Sequence, residues 1–254
     1  MQLMRHVENI TRGFNQNRAT VALYLDIKQA FDKVWHSGLI RKMIDYNIDD
    51  GIVCLISSYL SDRKFHTKWE NELSETKNIN SGVAQGSLIG PTLFNIYIND
   101  IPHLPQHNNS ALHIFADDTL ITGQSYRPEY AVCPVQQSLA LIEPWLEKWR
   151  IRINPDKCQA VVFSKKWKHI NERCTPIRIN GSDINWTTEA KYLGVILDQK
   201  LLFRKQIETN VNKAYGMLKR LFPIIKKQSK LHYTVGQVIY KALLRSIVTY
   251  ACPI

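Results

Sequence analysis

A chain of 254 residues is long enough to bury a substantial core, as one large domain or two smaller ones. With 44% apolar and 22% charged residues it has the balance of a globular protein, and it has no uninterrupted apolar run long enough for a membrane span. The net charge of +11 points toward a polyanionic partner.

In chain order, residues 2–15 have the spacing of a short helix with Leu3, Val7 and Ile10 on one side. "TVALYLDI" (20–27) reads as a buried strand, rich in apolar and β-branched residues. Residues 37–48 and 49–60 have helical spacing. The second has Asp49 or Asp50 as N-cap and Ile52, Leu55, Ile56 and Tyr59 on one face. "KFHTKWE" and "SETKNIN" flank Asn71-Glu72 and suggest a hairpin. "SGVAQGSLIGP" (81–91) is a Gly-bearing loop opening a helix that runs to about Asn99, with Pro91 in its first turn. "ALHIFA" and "TLITG" are strands, and residues 134–151 form a helix interrupted at Pro144. "QAVVFS" and "KYLGVILD" are further strands, and the last fifty residues are mainly helical with a break near Pro223.

This order predicts an α+β fold: a mixed or antiparallel sheet with helices on one face, followed by a helical lobe. G-x-G-x-x-G and P-loop patterns are both missing. The five cysteines are odd in number and show no C-x-x-C spacing, so neither a disulfide frame nor a structural zinc site is expected. With no secretory h-region at the start, an intracellular setting fits best. Composition shifts near Leu201. From there on, ten bases (Arg204, Lys205, Lys213, Lys219, Arg220, Lys226, Lys227, Lys230, Lys241 and Arg245) accompany one acid, Glu208. The tail thus carries +9 and the first 200 residues +2, a footprint that suits nucleic acid, although a solvated helical face has the same composition.

Inside this basic chain, "FADDTLI" (115–121) sets Asp117 beside Asp118 between two apolar runs. Neighbouring carboxylates disfavour each other's ionisation, so solvent or a bound cation must offset the repulsion. Asp-Asp is also a poor choice for a two-residue hairpin turn, where Asn-Gly or Asp-Gly is favoured. Asp26 ends an apolar strand. If that strand lies beside the hairpin, three carboxylates converge and supply hard oxygen donors for Mg²⁺. Two such ions would suit an in-line phosphoryl displacement. Three unrelated surface aspartates are the competing reading.

Five stretches together resemble the reverse transcriptase of non-LTR retrotransposons, most closely the jockey-type arthropod branch. "LYLDIKQAFDKVWHSGLI" is similar to the family's first palm motif and "SGVAQGSLIGPTLFNIYINDIP" to the second. "FADD" is similar to the catalytic hairpin, "KWRIRINPDKCQAVVFS" to the fourth motif, and "KYLGVILDQKLLF" to the fifth, the primer-grip region. The resemblance implies a polymerase palm and helical thumb, with residues 1–19 a remnant of the fingers, 20–200 the palm, and 201–254 an incomplete thumb.

It also implies roles. Asp26, Asp117 and Asp118 would bind two Mg²⁺, with Mn²⁺ as an alternative ion and the Ile27 carbonyl as an extra ligand. Phe31 would lie beneath the incoming sugar and select deoxynucleotides. Gln85 and Gly86 would pack near the templating base, where glycine permits close backbone approach. Lys157 would donate a proton to pyrophosphate. Tyr192, Leu193 and Gly194 would shape the primer grip. Arg204, Lys205, Lys213, Lys219 and Arg220 would hold the phosphates of an RNA template and DNA primer. Each of these residues also has a plainer reading as core, loop or solvated surface.

Ala84 stands where the family usually has Pro, Cys158 where it has Thr or Ser, and Ser246 where it has Pro. The resemblance further predicts more chain on both sides, and so a fragment of a mobile element's reading frame. An RNA-directed DNA polymerase, a catalytically inactive remnant that binds nucleic acid, and a different palm-like enzyme such as a nucleotide cyclase are the three readings open at this point. The cyclase leaves the second and fifth motifs unexplained.

Overall fold

The computed structural model describes residues 2–105, 109–166, 170–226 and 232–252. Lys227 and Lys230 of the basic tail lie outside the described residues. The chain begins with helix α1 (Gln2–Asn15), strand β1 (Ala19–Asp26), α2 (His36–Asp45) and α3 (Asp50–Leu60). Four two-residue strands follow, β2 (Lys64–Phe65), β3 (Lys68–Trp69), β4 (Glu72–Leu73) and β5 (Lys77–Asn78), then α4 (Gly90–Ile98). The hairpin β6 (Ser110–Phe115) and β7 (Asp118–Ser125) leads into α5 (Pro128–Lys148) and β8 (Gln159–Phe163). Beyond it come β9 (Arg178–Ile179), β10 (Ser182–Asp183), β11 (Trp186–Thr187), β12 (Glu189–Tyr192) and β13 (Val195–Asp198). The last lobe holds α6 (Arg204–Ile225), α7 (Tyr233–Ile239), a π-helical segment (Tyr240–Arg245) and α8 (Ser246–Val248).

Five strands form the central sheet in the order β11-β8-β1-β7-β6. Its neighbours are antiparallel except β11 and β8, so the sheet is mixed, as expected. β1 is central because every residue from Ala19 to Leu25 is apolar or Thr, and all are buried. Alternation sends Val21, Leu23 and Leu25 into one core with α2–α5. Ala22 and Tyr24 enter a second core with Leu3, Val7, Ile10 and Phe14 of α1 and with the β12–β13 hairpin. The larger helical layer thus covers one face, while α1 and a hairpin cover the other.

Three local expectations need correction. In α3 the buried face is Val53, Ile56 and Leu60, whereas Ile52, Leu55 and Tyr59 are exposed. Both stripes of "DGIVCLISSYL" are apolar, so periodicity alone does not choose between them; packing against α2 does. Asp49 caps this helix as expected, accepting from the Gly51 and Ile52 amides. Leu73 and Glu72 pair with Lys68 and Trp69, so the hairpin turns at Glu70-Asn71, one residue earlier than expected. α5 starts at Pro128 and runs unbroken through Pro144. An interior proline costs about 3 kcal/mol. The same stretch buries Leu139, Ile142, Trp145 and Leu146, each stabilising by about 1.5–3 kcal/mol. Packing therefore outweighs the lost hydrogen bond.

Candidate active site

β1 and β7 pair so that Asp26 lies directly opposite Asp118. The Asp26 carbonyl accepts from the Asn154 amide at 2.8 Å, and its amide donates to Cys158 Sγ at 3.4 Å. Both backbone groups of Asp26 therefore point to the β8 side. Asp26–Asp118 is then a non-hydrogen-bonded pair of the antiparallel ladder, the kind that brings side chains closest. Alternation puts both carboxylates on the face that carries Tyr24 and Leu120. Asp117 occupies the turn after Ala116, whose φ is 53°. Phe115 pairs with Asp118, so the two turn residues are Ala116-Asp117 rather than the Asp117-Asp118 expected, and Asp118 opens β7.

Partial desolvation, then the charges of Asp117 and Asp26, push the Asp118 carboxyl above its ordinary range. The sheet thus brings the three expected carboxylates to one edge. They are not already folded into a cage: among the described residues no three His, Cys, Asp or Glu side chains surround a common point. Ile27 bridges to Ile153, with Lys28 N–H donating to the Arg152 carbonyl. That pattern turns the Ile27 carbonyl away from Ile153, toward the β7 side of the strand where Asp118 and the Ala116-Asp117 turn lie.

Cys158 is buried at 1% exposure, and burial, with Asp26's charge adding, pushes its thiol up to about 11. It remains a protonated packing group with a weak hydrogen bond to the strand. Lys157, next to it, is exposed, and its amide closes a turn onto the Asn154 carbonyl.

The loop before α4 docks on the segment that follows β1. The Val83 amide donates to the Phe31 carbonyl, and the Gly82 amide to that of Val34, both at 2.8 Å. A Cβ on Gly82 would sit 2.7–2.9 Å from the backbone of Asp32, so glycine is required for this approach. Gln85 Nε2 donates to Asp32 Oδ1 at 2.8 Å. Phe31 stacks on Phe94 of α4, with ring centroids 4.8 Å apart. Phe31 and Gln85 therefore share one small neighbourhood. Gly86 differs from expectation in its reason. A Cβ there would touch nothing within 4 Å, and its φ of +79° is what calls for glycine.

Tyr192 ends β12, and Leu193-Gly194, with φ of 46° and 81°, make the turn into β13. Burial, with Asp118's charge adding, pushes the Tyr192 hydroxyl up to about 12. The hairpin therefore borders the carboxylate edge. Tyr192 packs against His6 and Tyr24, with ring centroids 5.6 and 5.7 Å apart. His6 shares a hydrogen bond with the Tyr24 hydroxyl at 2.9 Å, and burial beside His113 pulls its pKa down to about 3. No sequence signal marked His6, His113 or Tyr24, because their contacts join α1, β6 and β1.

Arg204, Lys205, Lys213, Lys219 and Arg220 all lie on α6 and are exposed. At 3.6 residues per turn, Lys205, Lys213, Lys219 and Arg220 fall within roughly 120° of the helix surface, and Arg204 stands apart. Lys205 is already engaged in an ion pair with Glu189. Among the described residues no helix is long and apolar enough to cross a membrane.

A sheet carrying facing carboxylates at one edge, backed by helices and followed by a basic helix, is the architecture of a nucleic-acid polymerase palm. The model of the reverse transcriptase (RNA-dependent DNA polymerase) family matches residues 1–197, and the chain belongs to that family. It is 32% identical, over 98% of its length, to the RNA-directed DNA polymerase from mobile element jockey of Drosophila melanogaster, of which it covers 27%. It is also 32% identical, over its whole length, to the probable RNA-directed DNA polymerase from transposon X-element of the same species, of which it covers 28%. The chain therefore spans little more than a quarter of the length of each of these two relatives. Among solved structures, it is similar to telomerase from Candida tropicalis in complex with a TWJ fragment of telomeric RNA. That match has a TM-score of 0.53 at 10% identity, covering 98% of this chain and 46% of that one, and it bears on fold alone.

Proposed function

We propose that this domain extends a DNA primer on an RNA template by adding deoxynucleotides to the primer 3′-hydroxyl. The observation that carries this reading is the Asp26–Asp118 cross-strand pair with Asp117 in the adjoining turn. Like charges directly opposite destabilise a sheet, and the Asp118 carboxyl is held above its usual range. Hard oxygen donors with that unrelieved repulsion fit Mg²⁺ or Mn²⁺. Asp26, Asp117 and Asp118 would hold two such ions, with the Ile27 carbonyl facing the same edge. Bound there, the ions supply positive charge that acidifies the attacking hydroxyl and offsets charge on the leaving group.

The primer 3′-hydroxyl gives its proton to solvent as its oxygen bonds to the α-phosphorus, and the bond from that phosphorus to the bridging oxygen of pyrophosphate breaks. Phe31, fixed against Phe94, limits space beneath the sugar and disfavours a 2′-hydroxyl. Gln85, tied to Asp32, and Gly86, with open space over its α-carbon, border the templating base. Lys157, exposed beside Cys158, would give pyrophosphate its proton. The Tyr192–Leu193–Gly194 turn meets the primer, and the bases of α6 neutralise phosphates. In this reading residues 1–19 are the end of the fingers, 20–200 the palm and 201–254 the thumb.

The test is extension of oligo(dT) on poly(rA) with Mg²⁺ and dTTP, with Asp117→Asn as control. Product that disappears in the control supports the proposal. Absent product, with salt-sensitive binding retained, overturns it in favour of a nucleic-acid binder without catalysis.

A further inference from the structure

Four hydrogen bonds close a ring between the β12–β13 turn and both ends of the thumb. Ile196 of β13 donates its amide to Gln206 Oε1 on α6 at 2.9 Å. Gln206 Nε2 donates to Asn210 Oδ1 at 3.1 Å, and Asn210 Nδ2 donates to the Tyr250 carbonyl at 3.4 Å. The Tyr250 hydroxyl donates to the Leu193 carbonyl at 3.1 Å, which brings the ring back to the turn just before Ile196. Gln206 and Asn210 are each 6% exposed, an unusual depth for amides on a helix whose other polar residues face solvent. A Cβ on Gly194 would sit 2.8 Å from the Tyr250 hydroxyl, so the turn and this tyrosine are fitted to each other.

We propose that Gln206, Asn210 and Tyr250 are positioning residues that hold the Leu193–Gly194 turn in the register that receives a primer end. The proposal rests on the reading of that turn as the primer-facing element. The buried amides cannot lose one partner cheaply: an unmatched donor or acceptor at this depth costs about 1–3 kcal/mol. The ring therefore behaves as a unit, and a displacement of the thumb is passed to the turn through Tyr250 and through Gln206 together. Tyr250 is half-exposed, so loss of its hydroxyl alone leaves the core intact and isolates the link.

The experiment compares the full chain with Tyr250→Phe by two readouts that need no catalysis. Hydrogen exchange at residues 193–196 is expected to quicken about tenfold, the effect of one lost hydrogen bond. The dissociation constant for an RNA–DNA template–primer labelled at the primer 3′ end is expected to rise about three- to tenfold, with the melting temperature lowered by no more than about 6 °C. Unchanged exchange overturns the ring as a device. Quickened exchange with unchanged affinity overturns the positioning role. Primer extension and its Asp117→Asn control are scored separately, so failure of the polymerase reading and failure of the ring are distinguishable.

Discussion

Asp26 and Asp118 stand opposite each other on adjacent antiparallel strands, at a position where neither backbone bonds to the other. Side chains approach most closely at such positions, and like charges there weaken the sheet. The fold tolerates this at the end of β1, immediately after seven buried residues. A palm strand thus spends its apolar length on stability and its last residue on chemistry.

That relationship predicts a metal-dependent stability. Mg²⁺ at ten times its dissociation constant should stabilise the domain by about 1.4 kcal/mol, a rise of about 3–6 °C in melting temperature. Asp118→Asn should abolish the rise and, without metal, be the more stable protein by about 0.2–1 kcal/mol. The sign with pH follows from the raised carboxyl of Asp118. A folded-state pKa above the unfolded one means that the folded chain binds more protons, so metal-free stability falls as pH rises through that raised pKa. Mg²⁺ needs the ionised form, so its stabilisation fades as pH falls through the same range. Melting curves with and without Mg²⁺ across pH 4–8 test both trends, and a pH-independent Mg²⁺ effect contradicts them.

Phe31 offers a test of sugar selection. Its ring packs against Phe94 at a centroid distance of 4.8 Å. Phe31→Ala should raise incorporation of ribonucleotides relative to deoxynucleotides by at least tenfold, a difference of about 1.4 kcal/mol between the two transition states. It should also lower folding stability by about 1–2 kcal/mol, less than for a fully buried ring. Parallel kcat/KM measurements with dTTP and UTP decide the point. A ratio unchanged from wild type would make Phe31 a packing residue only.

The carboxylates were legible because their signals are local. An apolar run ending in Asp26, and an acidic doublet between two apolar runs, are visible without knowing what lies beside them. α1 was legible for a similar reason: Leu3, Val7 and Ile10 recur at helical spacing, and all three are buried. What the sequence hid depends on partners far along the chain. Lys42 looks like an ordinary base beside Arg41 in α2, yet it is 2% exposed. Its ammonium reaches Asp100 and the Tyr97 carbonyl and lies 3.7 Å from the Trp149 ring centroid. Pro144 misled in the opposite direction, since its local penalty was visible and the core that outweighs it was not. The basic tail shows its charge in the sequence, but only coordinates show that Glu189 already holds Lys205.

Lys42 itself should be structurally demanding. Lys42→Ala removes an ion pair, a hydrogen bond to a buried carbonyl and contacts with the Trp145 and Trp149 rings. The expected loss is about 3 kcal/mol, near the lower end for breaking a buried pair, because Asp100 is partly open to water. Lys42→Met keeps the stem packed and should lose less, about 1–2 kcal/mol. Urea unfolding with an unchanged slope reads both values. Equal stability of wild type and Lys42→Met would show that the charge contributes nothing.

The bases of α6 should be unequal despite equal charge. Lys213, Lys219 and Arg220 share one side of the helix and are exposed, whereas Lys205 shares that side but is paired with Glu189. A base that must leave a carboxylate to reach a phosphate gains less, because one ion pair replaces another. Alanine at Lys213, Lys219 or Arg220 should therefore each weaken binding of an RNA–DNA hybrid. Each should also flatten the dependence of log K on log salt by about 0.9, the release of one phosphate's counterion. Lys205→Ala should flatten it by less than half as much. Glu189→Gln, which frees the lysine, should steepen it in the wild-type background and leave it unchanged when Lys205 is already alanine. Titrations by fluorescence anisotropy at several salt concentrations give these slopes directly. Equal slopes for Lys205→Ala and Lys219→Ala would mean that the Glu189 pair does not persist when nucleic acid is bound.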